Sequence, residues 1–595
     1  MKNRVLLLFA IPIFISLGCE DLFEPALQNH KKVEHLYDDP ALAQGLLGHA
    51  YISHPLTGWT FNDVATDDAV SNDPNNGYMK MATGQWRANF NPVDRWQNYR
   101  ASIQYINQFL SIVDSVKWAN DSLVAEMFRD RMTGDAYGMR ALYTYHLLLA
   151  HAGWSEDGQL LGIPLVNEAE DIDSEFNVPR NTFQECIQQI YDDTQIAINL
   201  LPANYGDVTD INLVPEKYRS KEITAAQYSR VFGENTRNRM SASIAEAVRA
   251  QATLLAASPA YSDGTTYTWE DAANQMAIVL NRLGSDPVSQ IDPTGITWYT
   301  NGTDITNLQS GINPKEILWR GGRENNRGLE VDNYPPTLYG SGRINPTQNL
   351  VDAFPMANGY PISDGASGYN PQNPYANRDP RLATYIIYNG SVAGPSNTVI
   401  TTAADGTTDN ALNKVGGRST RTGYYMKKLL RQTVNANPSS PTDQFHYKPF
   451  IRFTEIFLNY AEAANEAWGP MGTGTHGYSA YDVVKAIRER AKVGLTNGDA
   501  YLESIKNDKD AMRELIRNER RLELCFEGHR FWDLRRWKVP MDKLTEPAKG
   551  MRISGGVFSP IPEVEKRIYQ DHMYHGPIPY SEVVKFSELQ QNKGW

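Results

Sequence analysis

Glu519 and Glu523 are the side chains whose placement asks most of the chemistry. They lie in RNERRLELCFEGHRFWDLRRW at 517–537, a charge-dense, arginine-rich segment of a chain that is acidic overall. On a helical projection Met512, Leu515, Ile516, Leu522 and Phe526 share one face, and the two glutamates fall in the middle of it. A carboxylate buried there requires a cation or hydrogen-bond donors, because an unpaired buried charge is prohibitively costly. Arg530, Arg535 and Arg536 follow an expected helix stop at Gly528 and are placed to loop back as partners. The segment is therefore either a charged site or a buried ionic lock.

Other patterns carry less chemistry. Residues 472–477, GTGTHG, match GxGxxG, but a dinucleotide loop needs a strand before it and a helix behind. A helix precedes this one, so a helix–helix turn is expected. GxxxxGKS/T, GxSxG and HExxH are absent, which removes the common phosphate-loop, hydrolase-elbow and zincin signatures. His572 and His575 form HxxH without a third ligand, and His146 and His151 read as packing or surface residues. Among 69 acidic residues, carboxylate pairs in the sequence do not single out a glycoside hydrolase. Glu455, Glu462 and Glu466 share the polar face of one helix, the pattern of solvation or helix–helix ion pairs.

Asp67, Asp68 and the stretch NDPNNG at 72–77 are rich in oxygen and lack EF-hand spacing. Turn formation accounts for them. The functional alternative is polar contact with a hydroxyl-rich ligand, aided by Trp59, Tyr78 and Trp86 nearby in sequence.

The elements that must position these residues are mostly helices. Periodicity predicts helices over 91–116, 134–149, 182–201, 243–257, 452–468, 479–493 and 509–527. Thr182 and Glu185 form a capping box. Small residues recur along these helices (Ala136, Ala141, Ala247, Ala252, Ala461, Ala464, Ala486), which lets them approach closely as antiparallel pairs. Residues 284–450 differ: they are rich in Gly, Pro, Asn, Ser and Thr, with short strands expected at 316–319 and 384–388. So long an irregular stretch is expected to be functional or packed on a scaffold.

With 595 residues, 41% hydrophobic and 21% charged, the chain can bury a large core. Its net charge of −12 argues against a nucleic-acid surface and against docking on anionic lipid. Lys2 and Arg4 precede an apolar run at 5–17 that is too short to span a bilayer, and Ser16-Leu17-Gly18-Cys19 resembles a bacterial lipobox. Residues 1–18 are thus expected to be a signal peptide and Cys19 the lipidated residue. Cys186 and Cys525 remain, read as free buried thiols with a long-range disulfide as the alternative.

Together these segments resemble the SusD/RagB family of Bacteroidetes outer-membrane lipoproteins. The resemblance rests on Cys19 followed by Glu20-Asp21, GDAYGMRALYTYHLL at 134–148, GIPLV at 162–166 and VPRNTFQECIQQIYDD at 178–193. It continues through LVDAFPMANGYPI at 350–362, NRDPRL at 377–382, FIRFTEIFLNYAEAANE at 450–466, VKAIRERA at 484–491, the 517–537 segment, PIPYSEV at 577–583 and QN at 591–592. The ending NKGW departs from the family's usual proline and tyrosine. The resemblance implies a mainly α fold of tetratricopeptide-like helix pairs with an irregular, loop-rich region. It implies one domain over 19–595, made of a helical part (19–283), a loop-rich part (284–450) and a second helical part (451–595). It also implies a non-enzymatic surface lipoprotein that captures oligosaccharide and delivers it to a SusC-like TonB-dependent transporter. Peptide capture of the RagB type is the first alternative; a surface glycoside hydrolase and a purely structural lid are further ones. No cofactor is implied, a structural calcium being left open. Because sugar rings stack on aromatics and their hydroxyls need short polar partners, the expected ligand contacts are Trp59, Tyr78, Trp86, Trp298, Tyr299, Trp319, Tyr334 and Tyr339, with Asp67, Asp68, Asn72 and Arg320. The 517–537 segment is expected to lie far from them.

Overall fold

The computed structural model describes residues 34–595. The expected signal peptide and Cys19 lie outside the described residues.

Successive helices pack on one another in chain order. Pro40–Ile52 lies against Trp96–Ile112, which meets Ser122–His151, then Phe183–Leu200, Ala242–Ala257 and Trp269–Asn281. The stack resumes at Phe453–Trp468, which packs on Trp269–Asn281 and carries Ala480–Arg490 and Lys509–Glu523 beyond it. The scaffold is therefore mainly α and nearly continuous in space, although the loop-rich stretch interrupts it in sequence. Small side chains make the close approaches. Ala136, Ala141, Ala247, Ala252, Ala461 and Ala464 are all buried. At Gly138 a Cβ would meet Met240 at 2.4 Å, so that crossing admits only glycine without a shift.

The predicted helix starts hold where a local signal set them. Thr182 and Glu185 form the expected capping box. The helix predicted to run to 527 ends sooner, at Glu523. Phe526 and Gly528 both adopt positive φ (62° and 84°), which stops the helix and turns the chain into Arg530–Arg536. The glycine-rich stretch at 472–477 is a turn between helices, as expected. Cys186 and Cys525 are free and buried, so the disulfide alternative falls.

The loop-rich part is layered on the scaffold rather than left in solvent. Its longest strand, Ile317–Asn326, pairs antiparallel with Gln444–Arg452. A second pair, Ala548–Ser554 with Val557–Glu565, packs Met551 and Ile553 onto the core of the loop-rich part, and every sheet among the described residues is two-stranded. The strand expected at 384–388 is reduced to Ile386–Ile387, because Pro380–Tyr385 is helical. Trp298, Tyr334, Leu350, Tyr385 and Tyr424 form a second core beneath these loops, distinct from the helical one.

Candidate functional site

Glu519 and Glu523 are wholly buried and paired, but not by the arginines that follow them. Arg381 Nη1 donates to Glu519 Oε2 at 2.8 Å and to Glu523 Oε1 at 3.0 Å. Arg488 Nη1 donates to Glu519 Oε1 at 2.8 Å, and Arg490 Nη2 to Glu523 Oε2 at 2.9 Å. Asp379 holds the far side of Arg381 at 2.6 Å, and Asp499 that of Arg488 at 2.6 Å. Burial works to raise both glutamates, but the arginines outweigh it: Glu519 stays below the usual carboxylate value, and Glu523 is brought down to about 2. The expected role of Arg530, Arg535 and Arg536 is thus corrected. Arg530 pairs with Asp67 at 2.9 Å, Arg536 with Asp533 at 2.9 Å and with Glu462, and Arg535 lies 3.5 Å from the Phe531 ring centre. The segment Arg530–Arg536 instead meets the helix at Arg520, which binds Asp533 at 2.7 Å.

The lattice joins the loop-rich part of the chain to the second helical part. Asp379 and Arg381 come from the loop-rich part, while Arg488, Arg490, Glu519 and Glu523 come from the last helices. Next to it, Arg452 binds Glu316 at 2.6 Å and Glu527 at 2.8 Å, and Lys428 binds Glu527 at 2.7 Å.

Beside this lattice lies a partly open cavity of about 110 Å³. Four bordering helices contribute pairs one turn apart, Tyr145 and Leu149, Gln251 and Leu255, Glu455 and Asn459, Trp532 and Arg536, and Lys509–Glu523 adds Arg520. Strand Gln444–Arg452 adds Lys448 and Phe450, and the loop after Pro40–Ile52 adds Trp59 and Thr60. A water needs roughly 10–15 Å³, so this polar space has room for several. An open groove of about 500 Å³ adjoins it and shares Trp59, Lys448 and Phe450 as a wall.

The aromatic edge is held under strain. Phe61, not a glycine, takes φ 45° and ψ 36°, a left-handed conformation costing about 1–2 kcal/mol. It sets its ring nearly parallel to Trp59 (16°, centroids 6.2 Å apart). Lys448 stands 5.4 Å over the Trp59 ring and donates to the Gly58 carbonyl; Arg95 stands 5.0 Å over Trp532. Gly528 lets the backbone close on this edge, since a Cβ there would meet Thr60 Oγ1 at 3.0 Å.

Of the residues expected to touch ligand, Trp59 lines the cavity and Tyr78 is half-buried, within electrostatic reach of Arg95 and Tyr99. Tyr339 is exposed, on a left-handed turn (φ 65°). The others pack or pair within the protein. Burial would raise the Asp67 carboxyl, but Arg521, Arg530 and Lys543 hold it well below its usual range, and Arg521 also binds Asp68 at 2.6 Å. The Asn72 amide donates to the carbonyls of Ser341 and Gly342 at 2.9 Å. Trp86 packs on Phe531, Tyr569 and Trp595, and Trp298 on Tyr299 and Tyr447. Trp319 Nε1 donates to the Asn238 carbonyl and the Tyr334 hydroxyl to that of Arg431. Arg320 is buried and donates to Asn313 and to the carbonyls of Leu308 and Gly321. Trp298, Tyr299 and Tyr334 point inward because the loops cover a core of their own, while Trp319 and Arg320 lie on the strand Ile317–Asn326, with Trp319 packed into the helical core.

The opposite correction applies to the 517–537 segment. It does not lie apart from the cavity: Arg520, Glu527, His529, Trp532, Asp533 and Arg536 line it. Spacing carried a signal for several wall residues. Gln251, Glu455 and Asn459 interrupt otherwise buried stripes just as Glu519 does.

Among the described residues, no group of three or more His, Cys, Asp and Glu side chains is arranged for a metal ion, and no helix is long and apolar enough to cross a membrane.

Two family models match the chain. One, the SusD family, covers residues 301–595; the other, described as starch-binding associating with outer membrane, covers residues 32–232. SusD-like protein P38 of Formosa agariphila is 37% identical over 85 residues, 14% of this chain and 16% of that protein. The matches to the curated relatives span less than a third of their lengths. A SusD-like protein from Bacteroides fragilis superposes with a TM-score of 0.71 at 23% identity, covering 95% of this chain and 99% of that one. A SusD-like carbohydrate-binding protein of the same species gives 0.65 at 20% identity, covering 93% and 100%. At these identities the two structures establish the fold.

Proposed function

Because the chain belongs to the SusD/RagB family, we propose that it is a lipid-anchored glycan-binding protein of the outer-membrane surface, passing oligosaccharide to a SusC-like TonB-dependent transporter. The observation that carries this reading is the cavity edge. Trp59 and Phe61 form a strained, half-buried aromatic shelf where the adjoining groove meets the polar wall of the cavity. Sugar rings present apolar C–H faces to such rings and hydroxyls to such walls. A relative of the same fold is described as carbohydrate-binding, and one matching family model as starch-binding.

Binding without hydrolysis is the reading the cavity carboxylates favour. Burial works to raise Glu527, yet Arg452 and Lys428 keep it below the usual value; Asp533 is brought down to about 2 by Arg520 and Arg536. A general acid for glycoside cleavage needs the opposite shift.

Titration of the mature chain against oligosaccharides and peptides, with chromatography of the mixtures, tests this. Saturable glycan binding without cleavage is expected. Released product would overturn it in favour of a hydrolase, and binding of peptides alone in favour of the RagB-type reading. The anchor is tested by Cys19→Ala, which should move the protein out of the membrane fraction. Cross-linking in intact cells should recover a TonB-dependent barrel.

A further inference from the structure

The cavity wall carries more positive charge than its carboxylates neutralise. Its cations are Arg95, Lys448, Arg452, Arg520 and Arg536; its acids are Glu455, Glu527 and Asp533. Arg452 is paired with Glu527, and Arg520 and Arg536 with Asp533. Among the described residues, Arg95 and Lys448 have no carboxylate at ion-pair distance. Arg95 Nη1 meets His146 Nδ1 at 2.6 Å, and Lys448 meets only the Gly58 carbonyl.

These two cations also act on each other. Burial, reinforced by the Arg95 charge and only partly offset by Glu527, brings the Lys448 ammonium down to about 8. Burial and Arg95 likewise hold His146 neutral, its basicity well below the usual value. Each cation stands over an indole at the cavity edge, Lys448 on Trp59 and Arg95 on Trp532. Two like charges held in a concave site with no carboxylate at ion-pair distance are costly, and an anion relieves the cost.

We infer that this cavity takes an acidic oligosaccharide, with a carboxylate or sulfate group seated at Arg95 and Lys448 and the sugar ring against Trp59 or Trp532. This rests on the glycan-binding reading above and narrows it. The opposite wall suits neutral hydroxyls: Glu455 accepts from Gln251 at 2.7 Å, and Asn459 stands one turn along the same helix. Glu455 has no cation at ion-pair distance among the described residues, so it repels an anion placed on its side and orients the ligand. Charge-assisted hydrogen bonds from Arg95 and Lys448 would then read the substituent.

The test compares three galactose-based ligands: a neutral oligomer, an oligogalacturonide and a sulfated oligomer. Each is titrated into the mature wild-type chain and into Arg95→Gln and Lys448→Met. At least one acidic ligand should bind about tenfold tighter than the neutral one. That preference should shrink as salt rises from about 0.01 M to about 0.15 M, where the Debye length falls from about 30 Å to about 8 Å. Both variants should lose it while keeping the wild-type melting temperature. The arm that binds tightest identifies the group as carboxylate or sulfate. Equal affinity for all three ligands, or an acidic preference unchanged in Lys448→Met, overturns the inference and leaves glycan capture standing. Absence of binding to this set together with the wider oligosaccharide panel overturns both.

Discussion

Arg381 donates to Glu519 at 2.8 Å across 138 residues of sequence, with both side chains fully excluded from solvent. This contact ties the loop-rich part to the last long helix. Removing one partner leaves the other charged and buried, the situation in which ion pairs matter most.

Glu519→Ala should therefore lower unfolding stability by about 3–5 kcal/mol, because Arg381 and Arg488 would both lose an anion. Arg530→Ala should cost less, since Asp67 keeps Arg521 at 3.0 Å and Lys543 at 3.2 Å. Urea denaturation of both variants checks the order. A Glu519→Ala protein as stable as wild type would show that the lattice contributes nothing net.

Acid should weaken the fold through the same lattice. Burial opposes ionisation of Glu523, but Arg490, Arg381 and Arg452 bring its carboxyl from 4.5 to about 2. The unfolded chain binds that proton first, so this contribution is complete above pH 4.5 and disappears as the pH falls through 2. Glu523→Gln should be less stable at neutral pH and show a shallower loss of stability on acidification. Parallel pH profiles for the two proteins would refute this.

Asp63 should behave with the opposite sign. Burial, then the Asp68 charge, pushes it up to about 7; Oδ1 accepts from the Phe526 N–H at 3.0 Å, and Oδ2 has no protein hydrogen-bond partner. The folded chain keeps a proton that the unfolded chain releases above 3.8, so stability from this group is lost as the pH rises through 7. Asp63→Asn should exceed wild type in melting temperature at alkaline pH, by a margin that narrows toward pH 5. A constant margin would contradict the assignment.

Trp86→Ala and Trp298→Ala should each cost about 3–5 kcal/mol, because both rings are 2% exposed. Reading them as ligand contacts predicted little change in melting temperature. Thermal unfolding distinguishes the two, and an unchanged midpoint would return them to the surface.

What the sequence disclosed follows the range of its signals. The helix bearing Glu519, the capping box at Thr182 and the turn at 472–477 are local patterns, and periodicity or capping reveals them. The helix Trp269–Asn281 was missed although Thr268 and Asp271 form its capping box, because aspartate stands where glutamate is the familiar partner. That Glu519 needs a cation was legible; that Arg381 supplies it was not, since nothing local links them. The burial of the expected ligand contacts was illegible for a related reason. Loop aromatics are ordinarily exposed, but here Trp298 and Tyr334 belong to a core that the loops build for themselves. Polar residues on buried helix stripes, Gln251, Glu455 and Asn459, were the better guide to the cavity.

The most direct measurement is calorimetric titration of oligosaccharides, neutral and acidic, into wild type and Trp59→Ala. Trp59 is half-buried at the cavity edge, so its removal should leave the melting temperature nearly unchanged. It should weaken glycan binding about tenfold, the worth of one aromatic stack of about 1–1.5 kcal/mol. Undiminished affinity in a folded Trp59→Ala protein would contradict the account and place the ligand elsewhere.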